Sequence, residues 1–316
     1  MSIHVIEARE VPLGGPRAMT VHRTLPSRER TTIGAWCFID HYGPADVSET
    51  GGMHVPPHPH TGLQTVSWLF DGEIEHRDSV GSHAFVHPGT LNLMTAGHGI
   101  SHSEVSTAAT RILHGVQLWV ALPDAARDTA PHFESHDAAR TTVDDATAAV
   151  FVGSFAGAEV AAGAYSPLVA AELALPAGGV ADLPLNPDFE YGVLVDTGRV
   201  LLDGDPVART ELAYLDTGRA SVRVTAGVEP VRLVLIGGTP FGEKLLMWWN
   251  FAGRDHDEIV AFREEWRKES GAEPGLADAR EGEPASPRFG ATDHHYTGRP
   301  LPAPELPGVR LQPRSR

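Results

Sequence analysis

Short apolar or alternating runs, separated by glycine, proline, aspartate and asparagine, fill most of the chain between residues 36 and 238. The first half contains WCFIDHYG, LQTVSWLF, TLNLMTAG and GVQLWVALP, and the second half contains AVFVGSF, LVAAELAL, FEYGVLVD and VRLVLIGG. Short runs with frequent turn residues are typical of strands in sandwiches and barrels. The pattern therefore predicts an all-β fold. Residues 1–30 mix short apolar runs with charges, which predicts strands at a sheet edge.

Three segments depart from this strand pattern. Apolar residues recur at helical spacing between Asp255 and Glu269, with acidic residues early and basic residues late, which predicts a short amphipathic helix. Residues 270–316 are rich in proline, glycine and charge, so we expect an extended tail that is ordered only where it lies on the globule. Residues 124–146 are polar without a clear period, and we expect them to connect two domains.

The two halves of the chain repeat one strand pattern. Gly72 in FDGEIEH matches Gly198 in DTGRVLL, and Gly97 in LMTAGHGISHSE matches Gly218 in YLDTGRASVRVT. A chain of 316 residues is long enough for two domains. We therefore predict a duplication with these bounds: an N-terminal barrel over 1–130, a C-terminal barrel over 131–252, and a helix with an extended tail over 253–316.

Composition narrows the classes of function. The formal net charge is −16, and so acidic a protein repels phosphate backbones, so direct binding to nucleic acid is not expected. No apolar run is long enough to predict a membrane span, and the N-terminal residues lack the apolar segment of a secretory signal. Cys37 is the only cysteine, which excludes an internal disulfide and a cysteine-based metal cage. We expect a cytoplasmic protein.

The 17 histidines direct attention to metal or proton chemistry. His58 and His60 are two positions apart in HVPPHPHTG, and His102 and Glu104 are two positions apart in GHGISHSE. Residues two apart on a strand lie on the same face. Two such strands facing each other in a barrel would bring three imidazoles and one carboxylate to one point. That donor set suits a first-row transition metal, iron above all, and leaves two octahedral positions for a substrate or for substrate and dioxygen.

A pair of histidines two positions apart is weak support for a metal site by itself. Independent placement of 17 histidines in 316 residues yields about one such pair by chance. The chain also holds a second cluster, formed by His132, Glu134 and His136, within the polar segment 124–146. We expect this second cluster to lie in a solvated loop and not to bind a metal.

The sequence around His58, His60, His102 and Glu104 matches a longer pattern, which supports this first cluster as a metal site. The segments FIDHYGP, PPHPHTGLQTVSWLFDGEIEHRDSVGS, PGTLNLMTAGHGISHSE and LHGVQLWVALP resemble, in this order, the signature of the pirin family of the cupin superfamily. The resemblance is dense over about residues 35–123 and looser as far as residue 252. It implies a bicupin, in which two jelly-roll-like cupin barrels follow one another and the N-terminal barrel binds a metal.

The resemblance also implies the ligands and the ion. The ligand positions of the family fall on His58, His60, His102 and Glu104, which are the residues that the strand argument selects. Fe(II) is the expected ion, and other divalent transition metals are the alternatives. In the second barrel, aligning the glycines of the repeat places Pro184, Asn186, Arg223 and Thr225 at these four positions. None of them repeats a histidine or a glutamate, so we expect a structural second barrel without metal.

Other residues in these motifs also have expected roles, which follow from their positions in the chain. Gln64 stands where the resemblance favours glutamate, and His98 stands where it favours arginine. His98 either reaches the mouth of the pocket or caps its turn. We expect the remaining side chains to be mainly structural. His54, His76 and His114 should lie on strand faces or beside the ligands, and Phe38 and Trp119 should lie in the core or line a flavonoid-sized cavity. Cys37 should be buried, and Trp248 and Trp249 should pack between barrel and helix.

Two functions of different classes follow from the resemblance. The first is a metal-dependent dioxygenase of the quercetin 2,3-dioxygenase type, acting with dioxygen on a flavonol or another enediol-like substrate. Glu104 would then be the catalytic base that accepts the hydroxyl proton of the substrate. The second is a non-catalytic metal-binding regulator, either a transcription cofactor or a regulator of a metabolic enzyme, that acts through a protein partner. The fold alone does not decide between them.

Overall fold

The computed structural model describes residues 3–13, 19–272, 287–290 and 296–315. Within these residues the chain forms two barrels of antiparallel strands, followed by one helix and an extended C-terminal segment, which confirms the predicted fold class. The strands are β1 (His4–Ile6), β2 (Arg9–Leu13), β3 (Met19–Leu25), β4 (Trp36–Asp46), β5 (His54–His60), β6 (Leu63–Asp71), β7 (Ile74–Asp78), β8 (His83–Val86), β9 (Thr90–Thr95), β10 (Ile100–Ser106), β11 (Ile112–Ala121), β12 (His132–Asp137), β13 (Ala139–Val143), β14 (Ala146–Phe155), β15 (Ala158–Val160), β16 (Leu168–Leu175), β17 (Val180–Pro184), β18 (Glu190–Thr197), β19 (Val200–Leu202), β20 (Asp205–Val207), β21 (Leu212–Leu215), β22 (Ser221–Ala226), β23 (Val231–Gly238), β24 (Leu246–Trp248) and β25 (Phe251–Gly253), and the helix is α1 (His256–Ser270).

The two barrels share one strand order. The first barrel has a large sheet β12-β9-β6-β11-β4-β3-β2 and a small sheet β5-β10-β7-β8, and the second has β1-β21-β18-β23-β16-β14-β13 and β17-β22-β19-β20. The glycines of the sequence repeat occupy equivalent turns with positive φ, 94° at Gly72 after β6 and 75° at Gly198 after β18. Such a backbone favours glycine because a Cβ atom would clash. The predicted repeat is therefore confirmed.

One edge strand of each large sheet comes from the other half of the chain. The N-terminal strand β1 pairs with β21 of the second barrel, and β12, which follows the first barrel, pairs with β9. The expectation that residues 124–146 are only a connection was therefore wrong. The strand β12 is partly exposed on both faces, so no apolar alternation marks it in the sequence. The strand β1 lies within 1–130 but pairs with the second barrel, and β12 lies within 131–252 but pairs with the first. The domain bounds 1–130 and 131–252 stay predictions.

The large sheets pack against each other through the faces turned away from their own small sheets. Trp68 of the first barrel stacks on Phe151 of the second with ring centroids 4.3 Å apart. Trp36 donates its indole N–H to the carbonyl of Gly237 at 3.1 Å. These rings belong to one buried apolar cluster with residues from both barrels. The burial of this shared surface holds the two barrels together.

The interiors of the two barrels differ in chemistry. The second barrel is filled by aliphatic side chains such as Leu183, Val222 and Val224. Arg223 instead forms an ion pair with Asp182 at 2.7 Å on the exposed face of the small sheet. In the first barrel, the corresponding small sheet turns histidines and carboxylates inward. The chemistry of the molecule is therefore concentrated in the first barrel.

The C-terminal helix forms as the sequence predicts. Asp255 caps it by accepting hydrogen bonds from the amides of Asp257 and Glu258 at 2.8 and 3.0 Å. Ile259 and Trp266 are buried on its inner face, and Gly271 ends it with a φ of 60°. Across the part of the chain that the structure describes, no helix is both long and apolar enough to span a bilayer.

The described parts of the tail lie on the first barrel. The carbonyl of Phe289 accepts a hydrogen bond from the Ser101 hydroxyl at 2.9 Å. The amide of Leu301 donates to the carbonyl of Pro57 at 2.8 Å, and its carbonyl accepts from the Trp266 indole at 2.8 Å. The tail is thereby attached beside the strand that carries His58 and His60.

Candidate metal centre

Two adjacent strands of the small sheet carry the four residues that the sequence analysis selects. The strands β5 and β10 pair antiparallel, with His58 opposite His102 and His60 opposite Ile100. The pairing register shifts between His102 and Glu104. All four side chains are buried and border the same cavity. The two strands are neighbours in one sheet and not the facing strands that the sequence analysis expects, but alternation along each strand turns all four side chains toward the cavity.

Three imidazoles converge at the centre of this face. The ligand nitrogens of His58, His60 and His102 all lie within 4.8 Å of one another, and the Nε2 atoms of His60 and His102 are 3.1 Å apart. Two ligand atoms at about 2.1 Å from one ion and at right angles are about 3.0 Å apart. The spacing therefore fits two neighbouring ligands of a single transition-metal ion.

The other ring nitrogens are held by hydrogen bonds that set the tautomers. His58 Nδ1 lies 2.9 Å from the carbonyl of Pro56, and His60 Nδ1 lies 3.2 Å from the carbonyl of Asn250. A carbonyl only accepts, so Nδ1 carries the proton in both rings and Nε2 carries the lone pair. Burial, reinforced by His58, lowers the pKa of His60 well below its ordinary value, so His60 is neutral and able to bind a cation.

Glu104 lies on the His102 side of the cluster. A carboxylate oxygen of Glu104 is within 4.8 Å of ligand nitrogens of His102 and His76, and Oε1 accepts a hydrogen bond from Ser67 at 3.0 Å. Burial raises the pKa of Glu104 above that of an ordinary carboxyl group, although His76 and the Ser67 hydroxyl act in the opposite direction. A carboxylate with a raised pKa is a better proton acceptor near neutral pH.

The cavity in front of the cluster has a volume of about 310 Å³. Phe38 and Trp119 form one wall as a stacked pair with centroids 3.9 Å apart, and the Arg23 guanidinium lies 4.3 Å from the Phe38 ring centroid. Arg23 is held by two hydrogen bonds to the buried carboxylate of Asp40, at 2.6 and 2.7 Å. The other lining residues are mostly apolar: Val11, Pro12, Leu13, Met53, Val55, Gln117, Trp249, Asn250 and Leu301.

Comparison with known proteins identifies the family. The family model described as Pirin matches residues 18–120, and the model described as Pirin C-terminal cupin domain matches residues 170–271. The chain belongs to the pirin family. One match lies mostly in each barrel, which confirms the bicupin architecture.

Individual relatives of this pirin agree with the family match. A Pseudomonas aeruginosa protein named "Putative quercetin 2,3-dioxygenase PA1205" is 44% identical over 88% of this chain and 87% of its own length. A "Pirin-like protein" of Caulobacter vibrioides is 34% identical over 83% of this chain and 92% of its own. The crystal structure titled as quercetin 2,3-dioxygenase from Acinetobacter baumannii is 36% identical, has a TM-score of 0.87, and covers 98% of this chain and 97% of its own.

Trp249 of this pirin packs against the cluster that contains Phe251, Ile259 and Trp266, as expected, and it also lines the cavity. It occupies the turn between β24 and β25 with a φ of 53°, a left-handed conformation that costs energy for a side chain of this size. The hairpin approaches the end of β5 closely, because a Cβ atom on Gly62 would lie 2.4 Å from the Ala252 carbonyl oxygen. The sequence does not show this docking, because it joins positions 190 residues apart.

Gln64 and His98 lie outside the cavity lining. Gln64 points away from it and donates from Nε2 to the Thr95 hydroxyl and the Gly163 carbonyl, both at 2.9 Å. His98 Nδ1 lies 3.2 Å from the Thr129 carbonyl, so His98 attaches its turn to the segment around Thr129 and does not reach the mouth of the pocket. Cys37 is buried as expected, and burial raises the pKa of its thiol to about 12, which makes it unreactive.

A second buried group of potential ligands lies between the barrels and was not singled out from the sequence. His41 and His114 both contact the same oxygen of Asp196, at 2.6 and 2.5 Å. These distances are shorter than the spacing of about 3 Å between two ligands of one ion. The geometry is that of hydrogen bonds, so the group is an interdomain clamp.

The cluster in the segment 124–146 lies on a strand, not in the loop that the sequence analysis expects. His132, Glu134 and His136 alternate along β12, so the two histidines are about 13 Å apart along the strand. Glu134 accepts a hydrogen bond from His136 at 2.9 Å. His132 Nε2 also lies 3.5 Å from Glu134, but among the described residues the ligand atoms of this trio do not all lie within 4.8 Å of one another.

Proposed function

We propose that this pirin is a metal-dependent dioxygenase of the quercetin 2,3-dioxygenase type, which acts on a flavonol or another planar enediol with dioxygen. The observation that carries the proposal is the convergence of three buried imidazoles on a cavity that Glu104 also borders. The names of the Pseudomonas aeruginosa and Acinetobacter baumannii relatives support the same reaction.

His58, His60 and His102 would hold the ion through Nε2, and Glu104 would complete the ligand set. Three nitrogen donors and one carboxylate suit Fe(II), our preferred ion, and also other divalent first-row metals. When bound, the ion would act as a Lewis acid and as a template for the vicinal oxygens of the substrate. The protein contributes the fixed tautomers that keep the donor nitrogens aimed at one point.

Glu104 would serve as the base in this reaction. Its carboxylate borders the cavity and takes up the proton of a substrate hydroxyl, which leaves an electron-rich anion for reaction with dioxygen. The raised pKa of Glu104 increases its affinity for that proton. The hydrogen bond from Ser67 to Oε1 keeps the carboxylate oriented on the His102 side.

The cavity wall favours a flat aromatic substrate. Phe38 and Trp119 present a stacked, buried aromatic surface next to His60, whose ring centroid is 5.1 Å from that of Trp119. A planar ring system buries apolar area against such a surface and excludes water from the reacting oxygens. The volume of about 310 Å³ falls at the lower end of the range for small-molecule pockets.

The test is turnover by reconstituted protein. Purified protein is loaded anaerobically with Fe(II) and mixed with quercetin in air-saturated buffer, while flavonol absorbance and dioxygen uptake are recorded. We expect equimolar consumption of both, loss of activity in His58→Ala, and unchanged activity in the surface variant His132→Ala. Metal-loaded protein that consumes neither quercetin nor other enediols would contradict the proposal. Capture of a protein partner only by the metal-loaded form would then favour the regulatory alternative.

A further inference from the structure

A third pair of polar residues lies beside the two pairs that form the candidate metal centre. His76 and Asp78 are two positions apart on β7, as His58 and His60 are on β5. The strand β7 pairs with β10 so that His76 is opposite Glu104 and Asp78 is opposite His102. Directly opposite residues of antiparallel strands share a face. The segment EHRD therefore carries a sequence signal of the same form as HPH and HSE.

His76 lies behind His102 as seen from the other imidazoles. The Nε2 edge of His102 faces His60 at 3.1 Å, and its Nδ1 edge faces His76 Nδ1 at 3.4 Å. The His76 ring is buried and stacks on Phe133 with centroids 4.8 Å apart. Its remaining nitrogen, Nε2, lies 3.2 Å from Asp78 Oδ2. One side chain thus connects a candidate ligand to a buried carboxylate.

The proton positions along this chain follow from the state of Asp78. Its Oδ1 accepts hydrogen bonds from the amides of Val80 and Ser82 at 3.1 and 2.9 Å. Its Oδ2 faces His76 Nε2 at 3.2 Å, so both oxygens are turned toward donors. This surrounding suits an ionised carboxylate, which only accepts hydrogen bonds.

The contacts fit one arrangement of protons for two neutral imidazoles. His76 donates from Nε2 to Asp78, which leaves Nδ1 as the acceptor nitrogen of the neutral ring. His102 then donates from Nδ1 to His76, and His102 Nε2 carries the lone pair that faces the centre of the cluster. One carboxylate thus sets the tautomer of two imidazoles in series.

We propose that His76 and Asp78 are a positioning pair for His102, which fixes its tautomer and ring orientation so that Nε2 is presented for metal binding. The inference rests on the metal centre of the proposed function. In this role, His76 and Asp78 do not contact the substrate.

The first test is the affinity for Zn²⁺, measured by titration of apo-protein against a competing chelator. His76→Phe retains a ring beside Phe133 but removes the acceptor, and we expect its dissociation constant to rise 10- to 100-fold. His76→Gln restores an acceptor and a donor, and we expect it to remain within about threefold of wild type by the same reasoning. His83→Gln is the control, because His83 lies on the adjacent strand β8, outside the cavity lining, where its Nε2 is 2.8 Å from the partly exposed Glu75.

The second test reads the tautomers without a variant. In ¹⁵N-histidine-labelled wild-type protein, we expect the shifts of His102 to report a protonated Nδ1, both in apo-protein and with Zn²⁺. A His102 with unprotonated Nδ1 would overturn the inference, as would wild-type affinity in His76→Phe or equal losses in the Phe and Gln variants. If wild type binds no Zn²⁺, Fe²⁺ or Co²⁺, the proposed function fails, and the apo spectrum still decides the role of His76.

Discussion

His41 and Asp196 belong to different barrels, yet His41 Nε2 lies 2.6 Å from Asp196 Oδ1 and both side chains are fully buried. His114 contacts the same oxygen, Arg232 reaches Oδ2 at 3.2 Å, and Arg209 donates to the backbone carbonyl of Asp196 at 2.9 Å. The strands β4 and β11, which carry the two histidines, also carry the cavity residues Phe38 and Trp119. The clamp therefore attaches the wall of the candidate site to the second barrel.

The clamp predicts a loss of stability on mild acidification. Burial lowers the pKa of His41 below its ordinary value of 6.5, although Asp196 acts in the opposite direction. The unfolded chain therefore binds the proton more readily, and the stability is fully present above pH 6.5 and decreases as the pH falls below it. One such group contributes a slope of at most about 1.4 kcal/mol per pH unit. Urea unfolding at pH 7 and pH 5 measures this change in the free energy of unfolding. If the His41→Gln variant loses as much stability between the two pH values as wild type, His41 is not the cause.

Removal of the shared carboxylate should destabilise the protein strongly. Asp196→Ala leaves Arg232 and two buried imidazoles without their acceptor, and we expect the free energy of unfolding to fall by about 3 kcal/mol or more. Asp182→Ala is the matched control, because Asp182 pairs with Arg223 on the exposed face of the same barrel. The control should remain close to wild type. Equal effects of the two substitutions in urea unfolding would contradict the clamp.

Much of the site was accessible from the sequence because it depends on local periodicity. Alternation on β5 and β10 brought His58, His60, His102 and Glu104 to one face, and helical spacing identified α1. The clamp between His41 and Asp196 joins residues 155 positions apart on separate barrels, which no local pattern records. For the same reason the sequence did not reveal the pairing of β1 with β21, nor the docking of the hairpin β24–β25.

Trp249 should matter for binding more than for stability. Trp249→Asn removes the indole from the cavity and places at a φ of 53° a residue that tolerates this conformation. The relief of backbone strain should offset the lost ring contacts with Trp248 and Phe251, so we expect only a small change in melting temperature. The KM for quercetin should rise about tenfold, with a smaller change in kcat, because apolar contact is lost in substrate and transition state alike. Trp248→Phe, outside the cavity lining, is the control, and an equal KM effect there would contradict the assignment.

Glu104→Gln separates proton transfer from metal binding. The amide cannot accept the substrate proton, so we expect kcat to fall by about 100-fold or more while the three imidazoles retain the ion. Elemental analysis and quercetin turnover on the same sample measure both. The control is Glu134→Gln, a partly exposed glutamate outside the cavity lining. Wild-type turnover in Glu104→Gln would remove the carboxylate from the mechanism.

The most direct test of the metal centre is anomalous X-ray scattering at the absorption edge of iron, from crystals of protein loaded anaerobically with Fe(II). The account predicts one peak per chain, at about 2.1 Å from Nε2 of His58, His60 and His102. A peak at the His41, His114 and Asp196 clamp, or no peak between the three imidazoles at full loading, would contradict it.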